Sequence, residues 1–234
     1  MRERRSRTPR DARRRAYAQN FLASPRLATQ LVRNADVGSD DLVLEIGAGN
    51  GALTAELARR ARAVVAVELD PVLAASLRRR FARDQTVRVV ESDARRVELP
   101  REPFRVVANL PFNATTALLR RLLDPSLPLT RADLVLQWEV ARKRAGQPRT
   151  ALSAAGAPWW RFRLGRRIAA SEFRPRPAVS AGVLVAERRV PPLLPAHVFA
   201  DYSRFTKALY EGTLAADLDT AGLAALFEVY AAPR

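Results

Sequence analysis

The strongest constraint on the fold of this chain is an alternation of short apolar runs with segments of helical periodicity. Five runs rich in valine, leucine and isoleucine are predicted to be strands: residues 42–46, 64–68, 87–90, 104–108 and 132–137. Strands that alternate with helices predict a parallel sheet with helices on both faces. Near-continuous apolar runs are typical of strands that are covered on both sides. We therefore expect an α/β fold with a mostly parallel sheet.

The remainder of the chain predicts additions to that sheet. Two β-like stretches, 161–169 and 181–186, predict an antiparallel hairpin at its edge. A proline-rich linker follows, and the apolar pattern from 197 to 230 is helical. We predict a basic, disordered arm at 1–16, a ligand-binding domain at 17–190 and a small helical domain at 191–234. The pair Trp159-Trp160 is interpreted as packing between the last two parts.

The charge balance indicates a polyanionic partner. Forty Lys and Arg residues against 24 Asp and Glu residues give a net charge of +16, and only Lys143 and Lys207 are lysines. The arginine guanidinium forms bidentate hydrogen bonds to phosphate and stacks on bases, so nucleic acid is favoured over a membrane surface as the partner. A high-GC genome explains the choice of arginine over lysine but not the net charge. The candidate contacts, each equally compatible with a solvated face, are the arm before Arg15, residues 142–144, and Arg161, Arg163, Arg166 and Arg167.

Several classes of chemistry are excluded by residue usage. Without cysteine there is no disulfide, no thiolate metal site and no cysteine nucleophile. The one histidine, His197, cannot form a cluster of metal ligands, so we expect no metal. No run of 18 apolar residues is present, and the charged N-terminus lacks an apolar leader segment. We expect a cytoplasmic, soluble monomer.

Three features of a nucleoside-binding site fall at the ends of the first three predicted strands. Residues 45–51 read E-I-G-A-G-N-G, and Gly47 and Gly49 allow the backbone to turn sharply and approach a ligand. Glu68 ends the second strand, where an acid typically holds ribose hydroxyls. Asp93 follows the third strand and could accept from an adenine amine. Together they predict an adenosyl cofactor.

The segment Asn109-Leu110-Pro111-Phe112 follows the fourth predicted strand. The Asn109 side-chain oxygen and the Leu110 carbonyl can both accept hydrogen bonds from an exocyclic amine, which would make its nitrogen a better nucleophile. Pro111 fixes the backbone, and Phe112 can stack on a base. Asn-x-Pro is also a common turn, but its position here favours a site. We predict a catalytic group of Asn109, Leu110 and Phe112.

With these motifs the chain resembles the rRNA adenine N6-dimethyltransferase family. Within it, the chain is most similar to the Erm methyltransferases, which confer resistance to macrolides, lincosamides and streptogramin B. The segments that carry the resemblance are 19–22 (Q-N-F-L), 45–54, Glu68, Asp93, 109–112, 137–142, 173–177 and 226–230.

The resemblance implies a Rossmann-like class I methyltransferase fold that uses S-adenosylmethionine. Asn109 would then lie between the cofactor and the target amine, and Phe112 would stack on the target base. The small domain at 191–234 would bind RNA. The residues implied for cofactor binding are Asn20, Leu22, Gly47, Gly49, Glu68, Asp93 and Asn109.

The implied substrate is one adenine in the peptidyl transferase loop of 23S rRNA. A sister branch of the family modifies two adjacent adenines of 16S rRNA. That branch usually has a larger C-terminal lobe and an N-L-P-Y motif, whereas this chain has about 44 residues after Val190 and a phenylalanine, Phe112, at the aromatic position. Leu110, by contrast, favours the sister branch. A non-catalytic RNA-binding factor and a small-molecule methyltransferase are further alternatives. The intact motifs speak against the first, and the charge speaks against the second.

Overall fold

The computed structural model describes residues 20–146, 150–211 and 219–231. Within these ranges the chain forms nine strands and eight α-helices. Among the described residues, none of the helices combines the length and apolar character that crossing a membrane requires. The predicted arm at 1–16, Gln19 and part of the predicted C-terminal helical segment lie outside the described residues.

The strands and helices have the following bounds. The strands are β1 (Phe21–Leu22), β2 (Leu42–Ile46), β3 (Ala63–Glu68), β4 (Val87–Glu91), β5 (Phe104–Asn109), β6 (Leu129–Gln137), β7 (Trp160–Ile168), β8 (Phe173–Arg174) and β9 (Ala181–Arg188). The helices are α1 (Pro25–Asn34), α2 (Ala52–Ala58), α3 (Pro71–Arg80), α4 (Thr115–Leu122), α5 (Trp138–Arg144), α6 (Ala151–Gly156), α7 (Phe199–Glu211) and α8 (Thr220–Ala231).

The central sheet of the described chain has seven strands in the order β4-β3-β2-β5-β6-β9-β7. Strands β2 to β6 run parallel to one another, whereas β9 is antiparallel to both β6 and β7. The predicted α/β fold with a mostly parallel sheet and an antiparallel edge hairpin is therefore confirmed. The carboxyl ends of the parallel strands share one edge, so turns distant in sequence meet there.

Alternate residues of the strands divide the core into two layers, as the two-residue period of a strand requires. Leu44 and Leu134 face one layer, which continues through α4 and α6 to the C-terminal helices α7 and α8. Val43 and Val135 face the other layer, which is covered by α1 and α2. The C-terminal helices thus share a continuous core with the sheet, and the domain boundary at 190/191 stays a prediction.

A second, two-stranded sheet was not predicted from the sequence. Strand β1 pairs antiparallel with β8, so that Phe21 is opposite Arg174 and Leu22 opposite Phe173. The Ala23 N–H extends the pairing by donating to the Glu172 carbonyl at 2.8 Å. A two-residue strand has no detectable period, which is why it escapes sequence analysis. The pairing brings residues 20–22 to the carboxyl edge of the main sheet.

The tryptophan pair packs between the sheet and the C-terminal helices. Trp159 meets the rings of Phe199 and Tyr202 edge-on, at centroid distances of 5.3 and 5.7 Å. Trp160 is fully buried, and its Nε1–H donates to the Leu123 carbonyl at 2.9 Å. Trp159 is equally buried, but its Nε1 has no partner among the described residues.

This difference makes the two tryptophans a matched pair for a stability test. We expect Trp160→Phe to lower the free energy of unfolding by about 1–3 kcal/mol more than Trp159→Phe, because only the first leaves a buried carbonyl without a donor. Urea unfolding of the wild type and both variants measures the difference. Equal losses would show that lost volume, rather than the hydrogen bond, sets the cost.

Candidate active site

A cavity of about 230 Å³ opens at the carboxyl edge of β2 to β5. It collects side chains and backbone from four separate strand ends, together with the start of the chain's described part. All of the predicted site residues except Phe112 line it: Asn20, Leu22, Gly47, Gly49, Glu68, Asp93, Asn109 and Leu110.

The glycine turn after β2 requires glycine for two reasons. Gly47 and Gly49 have φ angles of +73° and +59°, in the left-handed region that side chains disfavour. A Cβ atom at Gly49 would also lie 2.9 Å from the ring of Phe21, so β1 packs directly on the turn. The Gly47 N–H donates to the Val67 carbonyl at 2.8 Å and anchors the turn to β3. The result is a backbone cradle beneath the N-terminal segment.

Glu68 connects this turn to the start of α3. Its Oε2 accepts from the Gly49 N–H at 2.7 Å, and its Oε1 accepts from the Asp70 N–H at 2.9 Å. Burial raises the pKa of the Glu68 carboxyl, and these two N–H donors partly oppose the rise. Each oxygen keeps lone-pair capacity for one further donor. The side chain is therefore held in one orientation while it can still accept from a ligand.

Glu45 is a residue of the site that the sequence analysis did not single out. It is the fourth residue of β2, is 1% exposed, and accepts from the Thr54 hydroxyl at 2.6 Å. Burial, helped by the nearby Glu68 and opposed by the hydrogen bond from Thr54, raises its pKa to about 8. At pH 7 the side chain is thus neutral. The available signal was an acid inside an otherwise wholly apolar strand, since such a residue is rarely buried without a reason.

Asp93 has a competing partner within the chain. The Arg95 guanidinium meets both carboxylate oxygens, with Nη2 at 2.6 Å from Oδ2 and Nε at 3.0 Å from each oxygen. The Arg95 N–H also donates to Oδ1 at 2.9 Å. This pairing holds the pKa of Asp93 below its usual range. Arg95 is exposed, so a ligand amine directed at Asp93 would have to displace a guanidinium that solvent can receive.

Asn109 is oriented by the N-terminal segment. Its Nδ2 donates to the Asn20 carbonyl at 2.7 Å. A carbonyl oxygen can only accept, so the amide nitrogen must face Asn20 and Oδ1 is left to face elsewhere. Within the described residues nothing donates to Oδ1. The Leu110 N–H donates to the Val135 carbonyl at 3.2 Å, which fixes the peptide that follows Asn109.

Phe112 lies outside the lining of the cavity. It is half-buried and packs against the α1 and α2 layer, whose members include Leu22 and Phe173. Its proposed role in stacking on a base stays a prediction.

Among the described residues there is no group of three or more acidic, histidine or cysteine side chains that could hold a metal ion.

The predicted basic runs are divided by the structure. Arg142 pairs with Glu139 at 2.8 Å, and Arg144 is half-buried with a pKa lowered by burial. On β7, Arg163 pairs with Glu187 at 2.6 Å. Arg166 instead contacts the Gln30 side chain of α1. These arginines therefore do not form one continuous basic strip.

The comparisons with known proteins agree with this geometry. Residues 10–220 match the ribosomal RNA adenine dimethylase family. The chain is 41% identical over 212 residues to an rRNA methyltransferase of Streptomyces thermotolerans, which covers 90% of this chain and 71% of the relative. It is also 41% identical over 206 residues to mycinamicin-resistance protein MyrB of Micromonospora griseorubida, which covers 88% of this chain and 65% of the relative. The crystal structure of 23S rRNA methyltransferase ErmE superposes with a TM-score of 0.75 and 32% identity, covering 83% of this chain and 80% of ErmE.

The neutral state of Glu45 has a measurable consequence for stability. The folded chain holds the Glu45 proton up to about pH 8, whereas the unfolded chain releases it near the ordinary glutamate pKa of 4.5. The folded state therefore binds more protons between these values, and the stability that this contributes is lost as pH rises. We expect the free energy of unfolding to fall by about 1.4 kcal/mol per pH unit between about pH 5 and 8 from this group.

Glu45→Gln, which mimics the neutral acid, should remove that slope. Glu98→Gln, at an exposed glutamate paired with Arg101, is the matched control and should leave it unchanged. Urea unfolding at several pH values measures both. A slope that persists in Glu45→Gln would show that another group causes it.

Proposed function

The chain belongs to the ribosomal RNA adenine dimethylase family, and we propose that it methylates N6 of one adenine in the peptidyl transferase loop of 23S rRNA. The outcome would be resistance to macrolide, lincosamide and streptogramin B antibiotics. Two relatives support this choice of substrate: one is named a mycinamicin-resistance protein and the other a 23S rRNA methyltransferase. The methyltransferase fold and the net charge of +16 suit an RNA substrate.

The cofactor is S-adenosylmethionine, which supplies an electrophilic methyl group on a sulfonium when it is bound. The residues of the cavity fit it. The glycine cradle leaves room for the amino-acid part, and Glu68 has lone pairs free for ribose hydroxyls. Asp93 would accept from the adenine amine once Arg95 moves aside. Asn20 and Leu22 would cover the cofactor from the N-terminal segment.

The observation that carries the proposed mechanism is the hydrogen bond from Asn109 Nδ2 to the Asn20 carbonyl. It leaves Asn109 Oδ1 as an acceptor that needs no reorientation when an amine arrives. An N–H bond donated to Oδ1 draws the target nitrogen into place and weakens its conjugation with the adenine ring. Catalysis by positioning and electrostatics of this kind needs no histidine.

Leu110 and Phe112 complete the proposed acceptor site. The Leu110 carbonyl would accept the second N–H of the target amine, and Phe112 would stack on the target base. The adenine must first leave its own stack, which costs least for an unpaired base in a loop. Phe112 would restore part of that lost stacking.

The exposed cations of the C-terminal helices give little support to an RNA contact there. On α7, Arg204 pairs with Asp201, and Lys207 lies 3.9 Å from Glu211. This helix surface is therefore close to neutral. The RNA-binding role of residues 191–234 stays a prediction, and the carboxyl edge of the sheet is the better-supported surface.

The function is tested with tritiated S-adenosylmethionine and purified 23S and 16S rRNA assayed side by side. We expect label in 23S rRNA alone, and primer extension should map it to one adenine of the peptidyl transferase loop. Label near the 3′ end of 16S rRNA would instead assign the protein to the sister branch of the family, which modifies 16S rRNA. Cofactor binding without label in either RNA would contradict the proposed substrate and point to a different acceptor or RNA context, whereas absence of cofactor binding would favour a non-catalytic RNA-binding factor.

The role of Asn109 has its own test. We expect Asn109→Ala to lower kcat at least about 100-fold, because it removes a preorganised acceptor, while cofactor affinity changes only a few-fold. Asn34→Ala, at an exposed asparagine outside this cavity, is the control and should retain the wild-type rate. Calorimetry measures cofactor binding, and single-turnover methylation measures the rate. A wild-type rate in Asn109→Ala would contradict the mechanism.

A further inference from the structure

Trp138 is the first residue after β6, and its indole lies against the sheet rather than within the core. A Cβ atom at Gly182 of β9 would lie 2.6 Å from Cε3 of this indole, so the ring rests on a glycine. The Trp138 N–H donates to the Ser180 carbonyl at 2.9 Å, which fixes the start of α5. The side chain is half-buried, with part of its surface open to solvent.

Arg167 lies over the indole of Trp138. Its guanidinium carbon is 5.2 Å from the centre of a Trp138 ring. Arg167 is directly opposite Gly182 in the β7–β9 pairing, so its side chain projects from the face on which the indole lies. It is exposed and forms no ion pair with any described residue. Trp138 therefore contacts a guanidinium that no carboxylate of the described residues neutralises.

An irregularity in β7 separates Arg167 from the other arginines of its strand. The pairing with β9 shifts register between Leu164 and Arg167. Arg163 is opposite Val185, on the face covered by α1, and pairs with Glu187. Arg167 is thus directed to the opposite face, at the carboxyl end of the strand.

That end of β7 lies at the same carboxyl edge of the sheet as the proposed methyl-acceptor site, with β6 and β9 between β7 and the strand β5 that carries Asn109. Asn109 is in register with Val135 on the neighbouring strand β6, and Trp138 follows three residues later. Trp138 is therefore about 10 Å further along the strand direction, and three strand spacings put β7 about 14 Å from β5 across the sheet. Arg174 and Arg176 are exposed on the segment that continues from the same edge. A nucleic acid bound over Asn109 and extending toward β7 would therefore meet several positive charges, among them the planar guanidinium of Arg167.

We propose that Arg167, supported by Trp138, stacks on the base adjacent to the target adenine. This inference rests on the proposed function, because it needs an RNA whose target adenine has left the stack. Extrusion removes a stacking partner from each neighbour of the adenine. A planar guanidinium can replace that partner, whereas an ammonium cannot. The indole positions the guanidinium before the RNA arrives.

The test uses variants that separate stacking from charge. Arg167→Lys keeps the charge but loses the planar group, and Arg88→Lys is the matched control at an exposed arginine of β4, at the opposite edge of the sheet. The probe is a fluorescent RNA stem-loop with the sequence of the 23S peptidyl transferase loop. We expect Arg167→Lys to weaken RNA binding about tenfold and Arg88→Lys to weaken it less than about twofold.

A second RNA identifies the stacked base. It is abasic at the position next to the target adenine, on one side or the other in two separate probes. The wild type should lose about tenfold in affinity for one of these probes, and Arg167→Lys should lose nothing further on that probe. Trp138→Leu should behave like Arg167→Lys, with thermal unfolding measured to establish that each variant is folded. Cofactor affinity should be unchanged throughout.

Two results would overturn the inference: wild-type RNA affinity in Arg167→Lys, or the same loss on the abasic probe in the variant as in the wild type. Neither result depends on methylation, because binding alone is measured. Failure of the proposed function would instead appear as absence of label in 23S rRNA. If 16S rRNA is labelled, the same comparison is made with a stem-loop from that site.

Discussion

The buried side chain of Glu68 connects two of the turns at the carboxyl edge of the sheet, where the cavity lies. By accepting from Gly49 on one side and Asp70 on the other, it joins the turn after β2 to the helix that follows β3. A buried carboxylate is costly unless its oxygens are satisfied, and here the backbone satisfies them. The neighbouring Glu45 avoids the same cost by remaining protonated. The pKa values of both acids are raised, and Glu45, the more deeply buried of the two, stays neutral in a cavity where two carboxylates would repel each other.

The second organising contact is between the start of the described chain and the fourth strand end. The Asn20 carbonyl orients the Asn109 amide, and β1 is itself held by β8. Phe21 lies on the glycine turn between these two anchors. The cofactor cavity and the proposed acceptor site are thus linked through one short segment. Loss of the β1–β8 pairing would disturb both.

The sequence predicted the sheet and most of the cavity because both depend on local patterns. Apolar runs located the parallel strands, and the residues at their ends were correctly expected to meet at one edge. Pairing partners distant in sequence were not predictable: nothing near Asn20 or Arg95 indicates which side chain each one meets. Glu45 was not singled out because its role depends on how deeply the folded chain buries it. Trp138 was quoted only as part of a motif, since its contact with Arg167 depends on a register shift and on Gly182.

The pairing of β1 with β8 joins residues about 150 positions apart. Contacts of such long sequence separation form slowly, because a long loop must close before they contribute any stability. During synthesis the glycine turn and Glu68 emerge early, but the segment that covers them has no partner until residue 173 has been made. The cavity is therefore among the last parts of the protein to be completed. A nascent chain that ends before β8 would contain the binding motifs without the closed site.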